Sequence, residues 1–340
     1  MDAANLGVAL RTDLRFALLN DWQRDFPLVA EPFAEIGERC GASENAVIAG
    51  YRQLLRDGSI SRIGGAWGAG AGGAALLCAF AVPAQQLEAV AACVSAHPGV
   101  NHNYEREHHH NLWFVITGRD AAAVGRAVDA LEAQTGCRGL RLRMRRAYRI
   151  DLGFDLRDPL APRGRFAAQA SVPVAAADAA LAALVEGGLP LVQQPYDAWG
   201  RALHQPAGQV LATLAKWLHQ GTLRRFGAIV RHHEAGYTHN AMTVFDVPDD
   251  AVDRCGTELA AQEGVTLAYR RERADGWPYN LYCMVHGRDR AAVQAAIRLA
   301  IERCALAAHP RAVLFSRRRF KQGGASYFRA PVESEQRDAA

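Results

Sequence analysis

No stretch of this 340-residue sequence stays apolar for the roughly 18 residues that a membrane helix needs; the best contender, LLCAFAV, is bounded by glycines on one side and Pro83 on the other. The N-terminal MDAANLGVALRTDLRF has no apolar region following a basic one, so neither a signal peptide nor a membrane partner is expected, and the cytoplasm is the expected compartment. Cysteine pairs are lacking as well. Cys40, Cys78, Cys93, Cys137, Cys255, Cys283 and Cys304 stand singly with no C-x-x-C among them, which argues against structural zinc, iron–sulfur clusters and a disulfide framework. No metal site of the protein's own is expected, and these thiols read as small core residues. Nor is there a strong charge of one sign, since 39 Lys and Arg against 35 Asp and Glu leave +4. The excess gathers in RLRMRRAYR at 141–149 and SRRRFK at 316–321, patches that suit phosphates or carboxylates, or a solvated face. Half of the residues are apolar, so the chain is globular and long enough for two domains.

What is present is a duplication. FPLVAEPFAEIG from Phe26 matches LPLVQQPYDAWG from Leu189 without a gap, and the register holds through Gly58 on Gly221, Arg62 on Arg225 and Gly64 on Gly227. Further on FAVP pairs with FDVP, GVNHNYERE with GVTLAYRRE, and NLWFVITGRD with NLYCMVHGRD. One unit is written twice, joined by the Pro-, Gly- and Ala-rich RDPLAPRGRFAAQASVPVAAA.

In the first copy amphipathic helices are expected over Asp13 to Leu19, Pro32 to Cys40 and, after a GAS turn with Ser43 as N-cap, Glu44 to Asp57 closed by Gly58. Helix, tight turn, helix and then ISRIGGAW is the pattern of a winged helix-turn-helix. The remainder alternates: strand AALLCAFAV, helix Ala84 to Ala96, strands around Tyr104 and Trp113, helix Ala121 to Gln134 and a basic strand Leu140 to Ile150. That order, βαββαβ, is ferredoxin-like. The expected fold class is α+β: a tandem repeat of winged helix-turn-helix plus ferredoxin-like domain, forming an intramolecular pseudo-dimer packed sheet to sheet or edge to edge. The boundaries read as 1–68 and 69–155 for the first copy, 156–175 for the linker, 176–231 and 232–330 for the second copy, and 331–340 for a disordered tail.

Two stretches carry candidate chemistry. NHNYEREHHHNLWF, residues 101–114, crowds Tyr104, Arg106, His108 and Asn111 beside a buried strand, and buried charge is costly without an anionic partner. Its counterpart RRFGAIVRHHEAGY, residues 224–237, brings Arg225, Arg231, His232 and His233. His109 alternates with His108 and His110 and is expected to point away from whatever they face. Trp113 and Phe114 read as core aromatics, and His97, His102, His204 and His309 as surface or capping groups. Tyr104 and Tyr269 share a repeat position, as do Asn111 and Asn280, which packing or turn geometry alone could explain.

A winged helix joined to a ferredoxin-like domain resembles the leucine-responsive, asparagine-type bacterial regulators. Base- and phosphate-contacting side chains are thin on both candidate reading helices: Asn45, Arg52 and Gln53 on the first, Gln209 and Lys216 on the second. DNA is therefore not expected as the partner. LLNDWQRDFPLV, NHNYEREHHHNLWF, RRFGAIVRHHEAGY, NAM and PYNLYCMVHGRD make the more specific resemblance, to the sirohaem decarboxylases built on that regulator scaffold; the first copy is similar to the NirD type and the second to the NirL type.

The resemblance implies a carboxy-lyase of haem d1 biosynthesis, converting sirohaem to 12,18-didecarboxysirohaem by loss of two acetate carboxyls. It implies no cofactor, because the iron travels with the substrate. Carboxylates need guanidinium forks, a task for Arg106, Arg225, Arg231 and Arg271, and Tyr104, Asn111, Tyr269 and Asn280 complete the substrate-binding set. Arg231, His232 and His233 fall on Gly68, Ala69 and Gly70 of the first copy, whereas His108 falls on Arg273 of the second, so the copies have traded complementary losses. His232, His233 and His108 are the expected proton donors, with His232 or His233 open as axial ligand to the substrate iron. The competing reading is a tetrapyrrole-sensing DNA-binding regulator on the same scaffold; a homodimer of the fused chain is left open.

Overall fold

The computed structural model describes residues 14–68, 70–150, 156–157, 171–230 and 239–329. In the first copy α1 (14–20), α2 (Pro32–Cys40) and α3 (Glu44–Arg56) form the helix-turn-helix, followed by β1 (Ile60–Trp67). Local chemistry sets these limits: Pro32 starts α2, Gly41 ends it in the left-handed region at φ 64°, and the Ser43 hydroxyl caps α3 by accepting from Ala46 N. Then come β2 (Ala74–Phe80), α4 (Leu87–Ala96), β3 (Val100–Arg106), β4 (Leu112–Gly118), α5 (Ala121–Thr135), β5 (Gly139–Leu142) and β6 (Met144–Ile150). The second copy repeats the order as α6 (Ala179–Gly187), α7 (Pro195–Ala202), α8 (Ala207–His219), β7 (Leu223–Val230), β8 (His239–Phe245), α9 (Val252–Ala260), β9 (Val265–Arg271), β10 (Leu281–Gly287), α10 (Arg290–Arg303) and β11 (Arg311–Gln322).

The wing expected in each copy is shared between them. β1 and β7 pair antiparallel with Gly64 opposite Gly227, two residues that occupy the same place in the repeat, so the pseudo-twofold axis passes between them. Both must be small, because a Cβ on Gly64 would stand 2.6 Å from Val185 O and one on Gly227 2.3 Å from Trp22 O. The two helix-turn-helix units thereby close over one core that includes Phe33, Tyr51, Tyr196, Trp217 and Phe226.

The remaining strands run in the order β5-β2-β4-β3-β11-β8-β10-β9-β6. The basic strand expected over 140–150 is two strands, since β5 pairs with β2 of its own copy and, after the break at Arg143, β6 pairs with β9 of the other. β11 does the same without a break: Arg311–Phe315 lie on β8, and Ser316–Gln322 lie on β3. The two sheets face each other and are stitched at both corners, joining the sheet-to-sheet and edge-to-edge arrangements in one fold. Alternation along β2 shows the layering: Leu76, Cys78 and Phe80 point to the outer helices, while Leu77 and Ala79 point inward with Trp113, Met242, Tyr269, Trp277 and Tyr282. Two turns of chain lock the ends identically. Asn111 accepts from Val82 N at 2.9 Å and donates to Val82 O at 2.9 Å; Asn280 does the same with Val247 at 3.0 and 2.9 Å.

Candidate functional site

β3 sets His102, Tyr104 and Arg106 on one face by its period of two. His102 stacks on Tyr104 with ring centroids 6.2 Å apart, and the Arg106 guanidinium lies 5.6 Å from the centre of the Tyr104 ring. Arg106 is buried, reaching across to the second half, where its Nη1 donates to Asn240 Oδ1 at 3.3 Å and Leu314 O at 3.1 Å. All its acceptors are neutral. Burial lowers its pKa to about 10, which leaves it charged at neutral pH. Repeat symmetry supplies the partner: Arg271 Nη1 donates to Leu142 O at 2.8 Å and the guanidinium stands 4.7 Å over Tyr269, itself stacked on Tyr282, while Arg271 Nε is buried without an acceptor. Two guanidiniums in neutral surroundings between the sheets are a standing demand for an anion.

At the end of the same stripe, the 107–111 loop meets the longer 272–280 loop of the other half. His108 and His110 stack at 5.9 Å, and both rings stand edge-on to Trp277 at 5.3 and 5.8 Å. His108 Nδ1 accepts from the His110 backbone N–H at 3.1 Å, so its lone pair is occupied and any ring proton sits on Nε2. Burial holds both imidazoles below their ordinary pKa. His109 is exposed, but it does not point away as strand alternation would have it: residues 107–110 form a bend, and its ring stands edge-on to His110 at 5.2 Å. His110 is the residue that motif reading left out, although it shares the face of His108; its buried Nδ1 has no partner.

Tyr104, Arg106, His108, Tyr269 and Arg271 thus gather around the space between the sheets and the two loops that close it. Asn111 and Asn280 flank it, with their amides engaged on Val82 and Val247. Arg225 is elsewhere: it sits on β7 in the helix-turn-helix module, buried, with Nη1 donating to Gln23 O at 2.6 Å and Ala228 O at 3.0 Å. Arg231, His232 and His233 lie outside the described residues, in the segment that joins β7 to β8. His102, expected at the surface, is instead drawn into the stripe, and burial beside Arg106 pushes its pKa down to about 4. His97 does act as a cap, its Nδ1 accepting from Gly99 N at 3.1 Å. Among the described residues no group of three His, Cys, Asp or Glu side chains could hold a metal ion, and no helix is long and apolar enough to cross a membrane.

The helix-turn-helix surface is less suited to nucleic acid. Arg52 on α3 donates to Leu191 O at 2.9 Å and Arg56 to Gln53 Oε1 at 2.7 Å, so two of its cations are engaged within the chain. Fold and site define a ligand-binding protein of regulator architecture whose chemistry resides between its sheets. Comparison with known proteins agrees. The family of AsnC-like ligand binding domains matches residues 71–149 and 234–321, and the Siroheme decarboxylase NirDL-like HTH domain matches 16–60. The siroheme decarboxylase NirDL subunit of Paracoccus denitrificans is 40% identical over 318 residues, covering 92% of this chain and 97% of that protein. The crystal structure of the siroheme decarboxylase NirDL superposes with a TM-score of 0.68 at 28% identity, covering 93% and 94% of the two chains. The same enzyme in complex with an iron-uroporphyrin III analogue gives 0.67 at 28% identity, covering 94% and 95%. The chain belongs to the siroheme decarboxylase NirDL family.

Proposed function

We propose that this protein is a carboxy-lyase that converts sirohaem to 12,18-didecarboxysirohaem in haem d1 biosynthesis, in the cytoplasm, with no cofactor beyond the iron its substrate carries. One observation carries the reading. A relative that binds an iron-uroporphyrin III analogue matches this chain over 94% of its length, and here one buried and one half-buried guanidinium, Arg106 and Arg271, stand between the sheets without carboxylate partners.

Each acetate arm loses its carboxylate as carbon dioxide. The bonding pair stays on the methylene, the macrocycle accommodates it, and one proton completes the methyl. Arg106 and Arg271, with Arg231, hold carboxylates by charge-assisted bonds, and Tyr104 and Tyr269 present their faces to the guanidiniums. Imidazole suits the proton delivery, a contribution of roughly a hundred to ten thousandfold in rate. His232 and His233 are the donors in this reading, either one being able to serve as ligand to the substrate iron. His108, neutral with its proton on Nε2, completes the set. Arg225, bound to backbone carbonyls, acts through the helix-turn-helix core rather than on the substrate.

The test is anaerobic incubation of the purified protein with sirohaem and mass spectrometry of the recovered ligand. Loss of two carbon dioxide masses is expected. Ligand recovered intact, together with a tetrapyrrole-dependent shift of a DNA band, would establish the sensor instead. Sedimentation of the same sample reads whether two fused chains form a homodimer.

A further inference from the structure

The two halves carry different side chains at one pair of equivalent corners. Where β5 breaks into β6, a half-enclosed cavity of about 510 Å³ opens between the start of β2, the first turns of α5 and the basic strand. Its floor is apolar, from Ala74, Ala75, Leu76, Val124 and Met144, and its charged lining is all of one sign: Arg141, Arg143, Arg145 and Arg146. Three of these have carboxylates behind them, Arg141 with Asp129 and Glu132, Arg145 with Glu272, and Arg146 with Asp253. Those carboxylates do not line the cavity, and Arg143 has none among the described residues.

The equivalent corner of the second half carries different side chains at two positions. Backbone hydrogen bonds fix the correspondence, since Glu107 N donates to Phe315 O and Glu272 N to Arg143 O, each at 2.9 Å. The N-caps Asp120 and Asp289 likewise align Ala121 with Arg290. In the second half Arg290 lies 3.9 Å over the Phe315 ring and bridges Glu107 at 2.7 and 2.8 Å. In the first half the same two positions hold Ala121 and Arg143: a methyl stands where the second half has a guanidinium, and a guanidinium stands where it has the ring. Asn240, which engages Arg106, is replaced there by Ala75.

We propose that this corner is a second, non-catalytic site that takes a flat macrocycle fringed with carboxylates, its apolar body on the β2 floor and its acids on the arginine rim. The volume lies within the roughly 300–1,000 Å³ of small-molecule sites, and planar forks at the rim favour carboxylates bidentately. Among the described residues no histidine lines it, so it would hold a tetrapyrrole without the imidazoles that the decarboxylase reading assigns to proton delivery. The ligand class rests on the decarboxylase reading; the cavity and its charge do not.

The experiment is calorimetric titration of the full chain with metal-free uroporphyrin, an octacarboxylate, alongside sirohaem turnover on the same preparations. The unmodified protein should bind two equivalents. Arg143→Glu should bind one and keep its turnover, as should the double variant Ala121→Arg with Arg143→Phe, which copies a pairing the fold already holds in its other half. One equivalent in the unmodified protein, unaffected by either variant, would overturn the site; one equivalent lost together with turnover would overturn its non-catalytic character. Two equivalents bound without any turnover of sirohaem would remove the decarboxylase reading and leave the corner site standing.

Discussion

Arg106 and Arg271 are images of one another, each extending a guanidinium into the opposite half to a leucine carbonyl, Leu314 O at 3.1 Å and Leu142 O at 2.8 Å. Arg106 additionally engages Asn240, and it is the more deeply buried of the two. Replacing it leaves two acceptors unsatisfied between the sheets, at about 1–3 kcal/mol for a buried polar group. Arg106→Ala is therefore expected to lower the unfolding free energy by about that amount and Arg271→Ala by less, while both weaken porphyrin binding; urea unfolding and porphyrin titration measure the two effects.

Acid should act on the stripe before it acts on the carboxylates. His102 has its folded pKa pushed down to about 4, below its ordinary value, so the unfolded chain binds the proton first. Its contribution is fully present above about pH 6.5 and is lost as the pH falls toward about 4. His102→Gln should flatten the decline of stability across that window, read from urea midpoints at successive pH values.

Trp277 fills the interior where the two loops meet, with Trp113 at 5.3 Å, His108 at 5.3 Å and Tyr279 at 4.8 Å. Truncation to Ala is expected to cost about 3–5 kcal/mol. It should also free the His108 and His110 rings, raising their pKa toward the ordinary value, which proton NMR titration follows.

Glu186 holds the chain after β11 against the helix-turn-helix module. Its carboxylate accepts from the backbone N–H of Tyr327 at 2.8 Å and of Phe328 and Arg329 at 3.1 Å, and from Trp67 Nε1 at 3.1 Å. Glu186→Ala should make the segment around Tyr327 cleavable by chymotrypsin at concentrations that spare the parent protein, whereas Glu186→Gln should show partial protection.

Ala in place of His232 or His233 is expected to abolish decarboxylation with sirohaem still bound. Turnover assays paired with the absorption spectrum of the bound tetrapyrrole separate the two. Unchanged activity would remove these imidazoles from the reaction.

Much of this architecture could be read from the chain. Duplication, helix limits such as Pro32 and Ser43, and the βαββαβ order follow from spacing and local chemistry, which act over a few residues. The exchange of strands could not be read, because nothing local in RLRMRRAYR says that Leu142 stays with β2 while Met144 leaves for β9; only closure of two sheets decides it. The site divides along the same line. Tyr104, Arg106 and His108 were legible as charge beside a buried strand. Trp277 as the ring partner of His108, the position of Arg225 in another module and the engagement of Asn111 on Val82 depend on tertiary contacts between residues far apart in sequence.

The crossing of β11 has a consequence for synthesis. On the side away from β4, the edge of β3 is covered by Ser316–Gln322, which are synthesised some two hundred residues later. Until then the N-terminal ferredoxin-like unit carries a bare main-chain edge open to other chains. The nascent chain is thus open to mispairing from the emergence of β3 until β11 docks, and truncations that remove β11 should aggregate through the first half, some two hundred residues from the cut.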